Sequence, residues 1–553
     1  MNIQANRSTF TRNNEATLQT RHPRRSEMIV RRVYYVLSYV GLPLTLLWGY
    51  FWPPAYWLLV ILIPYAVIGL YDMLTTKHNV LNNYPVLGHF RYMLEFVSPE
   101  IRQYFVETNE SGRPFNRIIR SLVYSRAKGQ VDTQAFGTQY DIMTVGYHRA
   151  NHSLSPKHVE ESEERVMLGG PQCDKPYHAS RLNVSAMSFG ALSANAIRAL
   201  NGGAKDGGFA HNTGEGGLSP HHLAEGGDII WQIGTGYFGC RTPEGGFDKD
   251  KFAEKARQDV VKAIEIKLSQ GAKPSHGGVL PAAKVDEEIA EIRGVPLNQD
   301  VISPPVHSAF DGPTELMQFV QHLREMSGGK PVGFKLCIGN PSEFMAICKA
   351  MLETGILPDF VTVDGAEGGT GAAPVEFTNR LGMPLNEGLI FVNNCLRGIG
   401  VRDKIRVICS GKVATGFDMV EKFALGADMC NAARAMMFAI GCIQALHCNT
   451  NRCPSGVATQ DPIRGRAVNV PQKRQRVHRF HDATLESFRE ILGAMGKAKV
   501  SDLRPADIHR RTADERERSY AQLYDFLDEG ALLGKTIPEE FAADWNAASA
   551  SRF

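Results

Sequence analysis

The sequence predicts an α/β protein, a (β/α)8 TIM-like barrel preceded by a transmembrane helical hairpin. Two patterns carry this reading. From about residue 180, the short β-rich runs RLNVSAM, DIIWQIG, AIEIKL, PVGFKL, DFVTVD, LIFVNN and IRVICS alternate with glycine-rich turns and helix-like stretches, the rhythm of repeated β/α units rather than of a sandwich. Near the start, Val33 to Tyr71 holds no charged residue. Pro53 and Pro54 divide that run into two apolar stretches, each near the lower length that crosses a ~30 Å hydrocarbon core.

The chain of 553 residues exceeds one ordinary domain, and its hydrophobic fraction of 43% supplies a sizeable core. Ten cysteines, concentrated toward the second half, do not have the spacing of a secreted disulfide scaffold. A formal charge of +3 and the lack of a long basic field with interleaved aromatics argue against nucleic acid as a partner.

Residues 1–30 are polar and basic and read as a flexible segment. The hairpin occupies 31–74, with Trp48, Trp52 and Trp57 near its turn, where aromatic rings favour an interface. Arg21, Arg24, Arg25, Arg31 and Arg32 precede it, while Lys77 and Arg91 follow, so both ends are expected in the cytoplasm. A cleaved signal peptide fits poorly, because the run starts late, continues too far and lacks a small-residue cleavage site. Re-entrant and buried soluble hairpins are the competing readings. The expectation is a two-pass protein of the cytoplasmic membrane, with the lipid bilayer as a partner and the catalytic domain on the cytoplasmic face.

Residues 75–178 read as a connecting layer of helices and loops, in which PFNRIIRSLVYSRAKG (114–129) is a basic amphipathic helix facing solvent, phosphate or membrane. The barrel is placed at 179–466. Its β-rich runs end in polar or glycine-rich sequence, such as SFGALS, GTGYFG and DGAEGGTGAAP, and loops after barrel strands converge on one active face. A doubly wound sheet is disfavoured, since the early GxGxxG fingerprint is missing. In SGKVATGFDMVEKFALGADMCNAAR (410–434), Gly411 and Gly416 offer either backbone N–H groups to an anion or turns needed for folding, and no P-loop pattern is present. The segment GCIQALHCNTNRCPSGVATQDP (441–462) places cysteines at 442, 448 and 453. On residues alone these are cluster ligands or buried thiols, and Cys430 reads as part of a barrel strand. Residues 467–553 read as a helical cover over the barrel or a partner-binding face.

Taken in chain order, SAMSFGALS (185–193), HNTGEGG (211–217), QGAKPSHGGVLP (270–281), ISPP (302–305), DGAEGGTGAAP (364–374) and the cysteine segment resemble the FMN-binding domain of glutamate synthases, especially shorter membrane-associated forms without a glutaminase domain. The resemblance implies an FMN-binding barrel. By position it implies that Met187, Ser188, Gln232 and Lys335 surround the flavin, while Gly369, Gly411, Ala432 and Arg434 serve its cofactor site, the last three at the phosphate end. It implies an oxoacid site made of Glu215, Gln270, Lys273 and Arg293: arginine grips a carboxylate bidentately, lysine neutralises the other acidic end, and the glutamate orients an amino or imino group. It also implies a 3Fe-4S cluster on Cys442, Cys448 and Cys453, since this spacing followed by PSGVATQ matches the family and neither zinc nor ferredoxin patterns.

Two departures concern the substrate. His276 replaces an acidic residue usual in the family, and SPPVHSAFD (303–311) keeps His307 but has Ser308 in place of the next histidine. His276 and His307 are thus candidate acid/base residues. The activity implied is electron transfer through the cluster and FMN to 2-iminoglutarate formed from 2-oxoglutarate and ammonia. A ferredoxin-like or membrane electron donor is expected, with ammonia from solution or from another subunit, and a homo-oligomer is an open possibility. No nucleophilic cysteine follows Met1, so glutamine hydrolysis is not expected of this chain. The alternatives are a membrane-linked FMN oxidoreductase acting on another amino or hydroxy acid, and a nonenzymatic electron-transfer scaffold.

Overall fold

The computed structural model describes residues 25–75 and 78–553. The segment read as flexible over 1–30 lies outside them up to residue 24, as does Lys77. Two compact units divide between Glu107 and Thr108, inside the stretch read as one connecting layer over 75–178. Hydrogen bonding explains the position of the division. Beyond it, the Phe115 N–H donates to Gln444 Oε1 at 3.1 Å and the Tyr124 hydroxyl to the Cys442 carbonyl at 2.7 Å. Before it, Asn82 and His89 bond to the hairpin residues Arg31 and Asp72.

In the first unit, α1 (Arg25–Tyr35) runs through a π-helical turn (Val36–Gly41) into α2 (Leu42–Phe51). Pro43 has no N–H to give the preceding turn, and the helix widens there. A 3-10 segment (Pro53–Leu58) then leads into α3 (Leu59–Leu74). The spans Ile29–Phe51 and Pro53–Leu74, of 23 and 22 residues, are apolar and long enough to cross a membrane. Close approach holds them together: the Tyr34 ring occupies the space where Gly69 would carry a Cβ, and its hydroxyl donates to the Ala66 carbonyl at 2.7 Å. Glycine allows such backbone proximity where lipid removes the hydrophobic drive between helices. Two helices follow, α4 (Asn79–Asn83) and α5 (Gly88–Ile101), the latter continued by a π-helical turn (Arg102–Val106).

The second unit is built on a closed barrel of β1 (Leu182–Val184), β2 (Ala210–Asn212), β3 (Asp228–Ile233), β4 (Val261–Lys267), β5 (Val332–Leu336), β6 (Phe360–Asp364), β7 (Arg406–Ser410) and β8 (Met429–Ala432). Every strand pairs in parallel with its neighbour in sequence, and β8 closes onto β1 with Ala432 opposite Val184. The run LIFVNN, read as a strand, lies instead within a helix, Leu385–Gly398. Its buried apolar residues Leu385, Leu389, Val392 and Leu396 recur at three- and four-residue spacing, which is helical.

Alternation along the strands sets every second side chain inside the barrel. At the amino ends that layer is apolar: Ala210, Ile230, Ala263, Phe360, Ile408 and Met429 cluster with Leu168, Tyr177 and Ala179 of a β-hairpin, Arg165–Leu168 with Tyr177–Ser180. Two residues further along the same strands the side chains are polar, namely Asn212, Gln232, Glu265, Thr362, Ser410 and Asn431. Two further again, on β4 and β6, stand Lys267 and Asp364. Polarity thus rises toward the carboxyl ends, the face from which barrel enzymes work.

Around the barrel, α6 (Arg117–Lys128) and α7 (Ala194–Gly207) pack on the long helix α11 (Val470–Ala494). Between α7 and α11 in sequence, α8 (Glu287–Arg293), α9 (Gly416–Ala424) and α10 (Arg434–Ala439) stand among the helices of the barrel unit. C-terminal strands Ile508–Arg511 and Glu517–Ser519 add to His148–Ala150 in a small antiparallel sheet.

Candidate active site

Glu215 stands just beyond β2, and glycines make room for it. A Cβ on Gly234 would meet Glu215 Oε2 at 2.8 Å, and one on Gly278 would collide with Oε1. Lys267, the last residue of β4, places Nζ 3.0 Å from Glu215 Oε1. Burial opposes the charge of Glu215, but Lys267, Lys273 and Arg293 outweigh it and hold the carboxyl below its ordinary value.

Lys273 is buried on the loop after β4 and donates from Nζ to the Ala372 carbonyl at 2.8 Å. Burial brings its ammonium down to about 8, with Glu215 acting against that shift. Arg293 ends α8, where Gly294 supplies the left-handed cap at φ +64°. Its Nη2 donates to the Phe189 carbonyl at 3.0 Å, its guanidinium lies 5.2 Å from the Phe238 ring centre, and its Nε has no partner. Burial lowers it to about 10, so it stays charged at neutral pH. Glu215, Lys273 and Arg293 line a cleft of about 60 Å³ together with Ser188, Lys284, Thr370, Cys448 and Asn449.

The structure therefore brings Ser188, Glu215, Lys273, Arg293 and Cys448 together around one cleft, with positive charge in excess. Gln270 does not line it, and its Nε2 is buried without a partner. His276 is half-buried on the same loop, with Nδ1 3.0 Å from the Gly277 carbonyl and its ring edge-on to Phe377. His307 lies outside the cleft lining and faces Tyr237 Oη at 3.1 Å and the Lys267 carbonyl at 2.9 Å. Burial pushes it down to about 4. Through its bond to the Lys267 carbonyl, the ring holds the end of β4, and with it Lys267.

The residues expected around FMN gather at the carboxyl ends of the strands. Met187 and Ser188 follow β1, Gln232 is near the end of β3, Lys335 near the end of β5, Gly369 beyond β6, Gly411 directly after β7, Ala432 at the end of β8 and Arg434 at the start of α10. Gln232 Nε2 donates to Glu265 Oε1 at 2.6 Å, and Asn212 and Thr362 donate to the same carboxylate. Lys335 Nζ lies 3.5 Å from Asp364 Oδ2. Burial acts against its charge, but the Asp364, Glu265 and Glu215 carboxylates prevail and raise it. Arg434, half-buried and lowered by desolvation, donates to the Glu367 carbonyl at 3.0 Å, and a Cβ on Gly369 would meet its guanidinium at 2.9 Å.

The residues present fit FMN. Gln270 Nε2 beyond β4 and Asn431 Oδ1 within β8 are a buried donor and a buried acceptor with no partner, the complement to the edge of a flavin ring. The buried Lys335 and the half-buried Arg434 are cations that suit an electron-rich ring and a phosphate.

The cysteines are less simply placed. Among the described residues no group of three or more His, Cys, Asp and Glu side chains is arranged to hold a metal ion. Cys442 is pushed up to about 12 by burial, with Cys448 and Cys453 adding to the rise. Cys453 differs: burial raises it, but the Ser455 hydroxyl and the backbone N–H groups of Ala458, Ser455 and Val457 bring it below the ordinary thiol value. Lys284, buried beside Cys448 and Cys453, donates to the carbonyls of Ala191 and Ala458. Lys267, Lys284, Glu265 and Asp364 were missed in the sequence. Glu265 and Lys267 break the apolar pattern of AIEIKL at every second position, a signal that a charged layer lines the barrel.

A family described as "Conserved region in glutamate synthase" matches residues 127–498. The glutamate synthase large subunit-like protein YerD of Bacillus subtilis is 37% identical over 472 residues, covering 78% of this chain and 90% of that protein. An archaeal-type glutamate synthase [NADPH] of Thermotoga neapolitana and an archaeal glutamate synthase [NADPH] of Methanocaldococcus jannaschii are each 34% identical over 322 residues, covering 58% of this chain. The chain spans 60% of the length of these two relatives. Fold, site and relatives define the class, an FMN-dependent oxidoreductase built on a β/α barrel. Within that class the chain belongs to the glutamate synthase family.

Proposed function

We propose that the protein is a membrane-tethered flavin oxidoreductase that reduces 2-iminoglutarate, formed from 2-oxoglutarate and ammonia, to glutamate. The observation that carries this reading is the single carboxylate of Glu215 surrounded by Lys267, Lys273 and Arg293 at the barrel mouth. Such an excess of buried positive charge suits a dicarboxylate and repels a cation.

Met187, Ser188, Gln232, Lys335, Gly369, Gly411, Ala432 and Arg434 would hold FMN, which would supply hydride chemistry, and Cys442, Cys448 and Cys453 would hold a 3Fe-4S cluster, which would supply single electrons. Support for the cluster comes from the cysteine spacing and from the N–H groups that favour the Cys453 thiolate. Arg293 is placed to grip one substrate carboxylate through its free Nε, and Lys273 to neutralise the other. Glu215 remains ionised and accepts from the substrate nitrogen, while Lys267, fixed through its carbonyl by His307, keeps it so. The donor is a ferredoxin-like protein or a membrane carrier. Arg31 and Arg32 flank the first apolar span and favour the cytoplasmic side for both hairpin ends.

A second reading, oxidation or reduction of another amino or hydroxy acid, is favoured by His276 where the family carries an acidic residue. The deciding experiment mixes reduced, anaerobic enzyme in detergent with 2-oxoglutarate and ammonia, following flavin absorption and final glutamate. Flavin reoxidation with stoichiometric glutamate is expected. A flavin that stays reduced in protein with intact cofactors would sink the synthase reading in favour of the second. Separately, Cys448→Ser is expected to abolish the low-temperature paramagnetic signal and lower the iron content while FMN is retained. An unchanged signal rejects the ligand set.

A further inference from the structure

The helix after the hairpin has no part in this chemistry, yet its surface is not that of a helix in water. At about 3.6 residues per turn, Phe90, Met93, Leu94, Ile101 and Phe105 fall on one arc of α5 and its π-helical continuation. They are 59%, 53%, 45%, 42% and 85% exposed. Arg91, Glu95 and Arg102 fall together on one flank of the arc, with Arg91 paired to Glu95 at 2.9 Å, and Glu100 lies at its other edge. Of the large exposed apolar side chains of α5, Phe96 alone lies off it.

Charge on both flanks excludes a third crossing, and among the described residues only the two hairpin spans have the length and composition for one. The level of the helix is set by hydrogen bonds. Arg31, at the start of the first span, donates from Nη2 to Asn82 O and Oδ1 at 2.8 and 2.7 Å. Asp72, at the end of the second, accepts from the Val86 N–H at 2.9 Å and lies 2.8 Å from His89 Nε2. Both open ends of the hairpin and the first turn of α5 therefore meet at one level, where apolar sequence gives way to polar.

We infer that α5 lies in the plane of the membrane, with its apolar arc in the acyl region and its charged side among the headgroups, as a third lipid-binding element. The occupant of the arc is lipid because α5 belongs to the same compact unit as the apolar hairpin and is bonded at its first turn to the level where the spans end. The inference rests on the hairpin crossing the bilayer.

The test uses the full chain in vesicles of phosphatidylcholine and phosphatidylglycerol. A benzophenone amino acid replaces in turn Phe90, Leu94, Ile101 and Phe105, then Arg91, Glu95 and Arg102, with Ile61 in the hairpin as reference. After illumination, adducts are identified by mass spectrometry. Acyl-chain adducts at the four arc positions are expected at about ten times the yield of the three charged positions. Lipid adducts at Ile61, but protein adducts from the arc to residues 108–553 or to a second copy, would overturn the inference while leaving the hairpin intact. Equal lipid yields at all seven positions would also overturn it, as an immersed helix. Absence of lipid adducts at Ile61 would remove the hairpin and the inference together.

Discussion

Burial sets Lys273 to titrate at about 8, within the range where enzymes are assayed. A lysine carries its charge below that value and loses it above, so the cation facing the substrate fades as pH rises. The KM for the acidic substrate should climb about tenfold between neutral pH and one unit above the Lys273 value, while Arg293, at about 10, stays charged throughout. Lys273→Arg should flatten that rise, because guanidinium does not titrate there. A KM independent of pH in the native enzyme would remove Lys273 from the substrate. Arg293→Met keeps volume but deletes the charge. A loss of about 10- to 100-fold in kcat/KM is expected, with bound flavin unchanged by absorption. Glu215, Lys273 and Arg293 were legible in the sequence through motif order. Lys267 was not, because a terminal lysine on an apolar run looks like a solvent-facing strand end until barrel closure turns it inward. His307 was legible as a histidine near the site, but its burial was not.

Among the elements, the barrel was legible because most strands are apolar runs ended by glycine. LIFVNN was misread since four consecutive apolar residues suit a strand or a buried helix face equally, and only Leu385 and Leu396 outside the run reveal the helical period. The short β2 left no strand signature of its own. Helix packing carries a test of its own. On α7, a Cβ on Gly203 would meet Val477 Cβ at 2.5 Å and the Arg474 carbonyl at 2.8 Å on α11. Backbone atoms cannot rotate away, so Gly203→Ala must push α7 and α11 apart. A destabilisation of about 1–3 kcal/mol is expected, read as a lower urea midpoint for flavin release. Gly294→Ala on the open C-cap of α8 meets no atom and strains only its own backbone, so it separates overpacking from loss of a left-handed glycine. Equal midpoints for Gly203→Ala and the native protein would show that the two helices are not in close register.

At the scale of the barrel unit, segments far apart in sequence meet on one buried carboxylate. Glu421 on α9 accepts from Tyr520 Oη at 2.9 Å and from Asn386 Nδ2 at 3.2 Å, lies 2.8 Å from His148 Nδ1, and pairs with Lys422 Nζ at 2.6 Å. The strand at 148, the helix at 386, the barrel layer at 421 and the C-terminal segment at 520 are thereby joined. Such a junction is illegible in sequence, because its partners share no motif and only the folded chain brings them together. Burial disfavours the charge of Glu421, yet Lys422 and His148 hold its carboxyl well below the ordinary carboxylate range. A carboxylate depressed on folding stabilises fully above its unfolded value, at about 4.3, and that contribution is lost as pH falls below it. Glu421→Gln should lower stability at neutral pH by about 3 kcal/mol, since it leaves the Lys422 ammonium buried without its partner. Acid should then narrow the difference: from about pH 6 to pH 3 the native midpoint should fall toward that of the variant, while the variant, with no carboxylate at this position, changes less. Parallel pH profiles would mean that the junction contributes through shape rather than charge, and would place the acid sensitivity of this unit elsewhere.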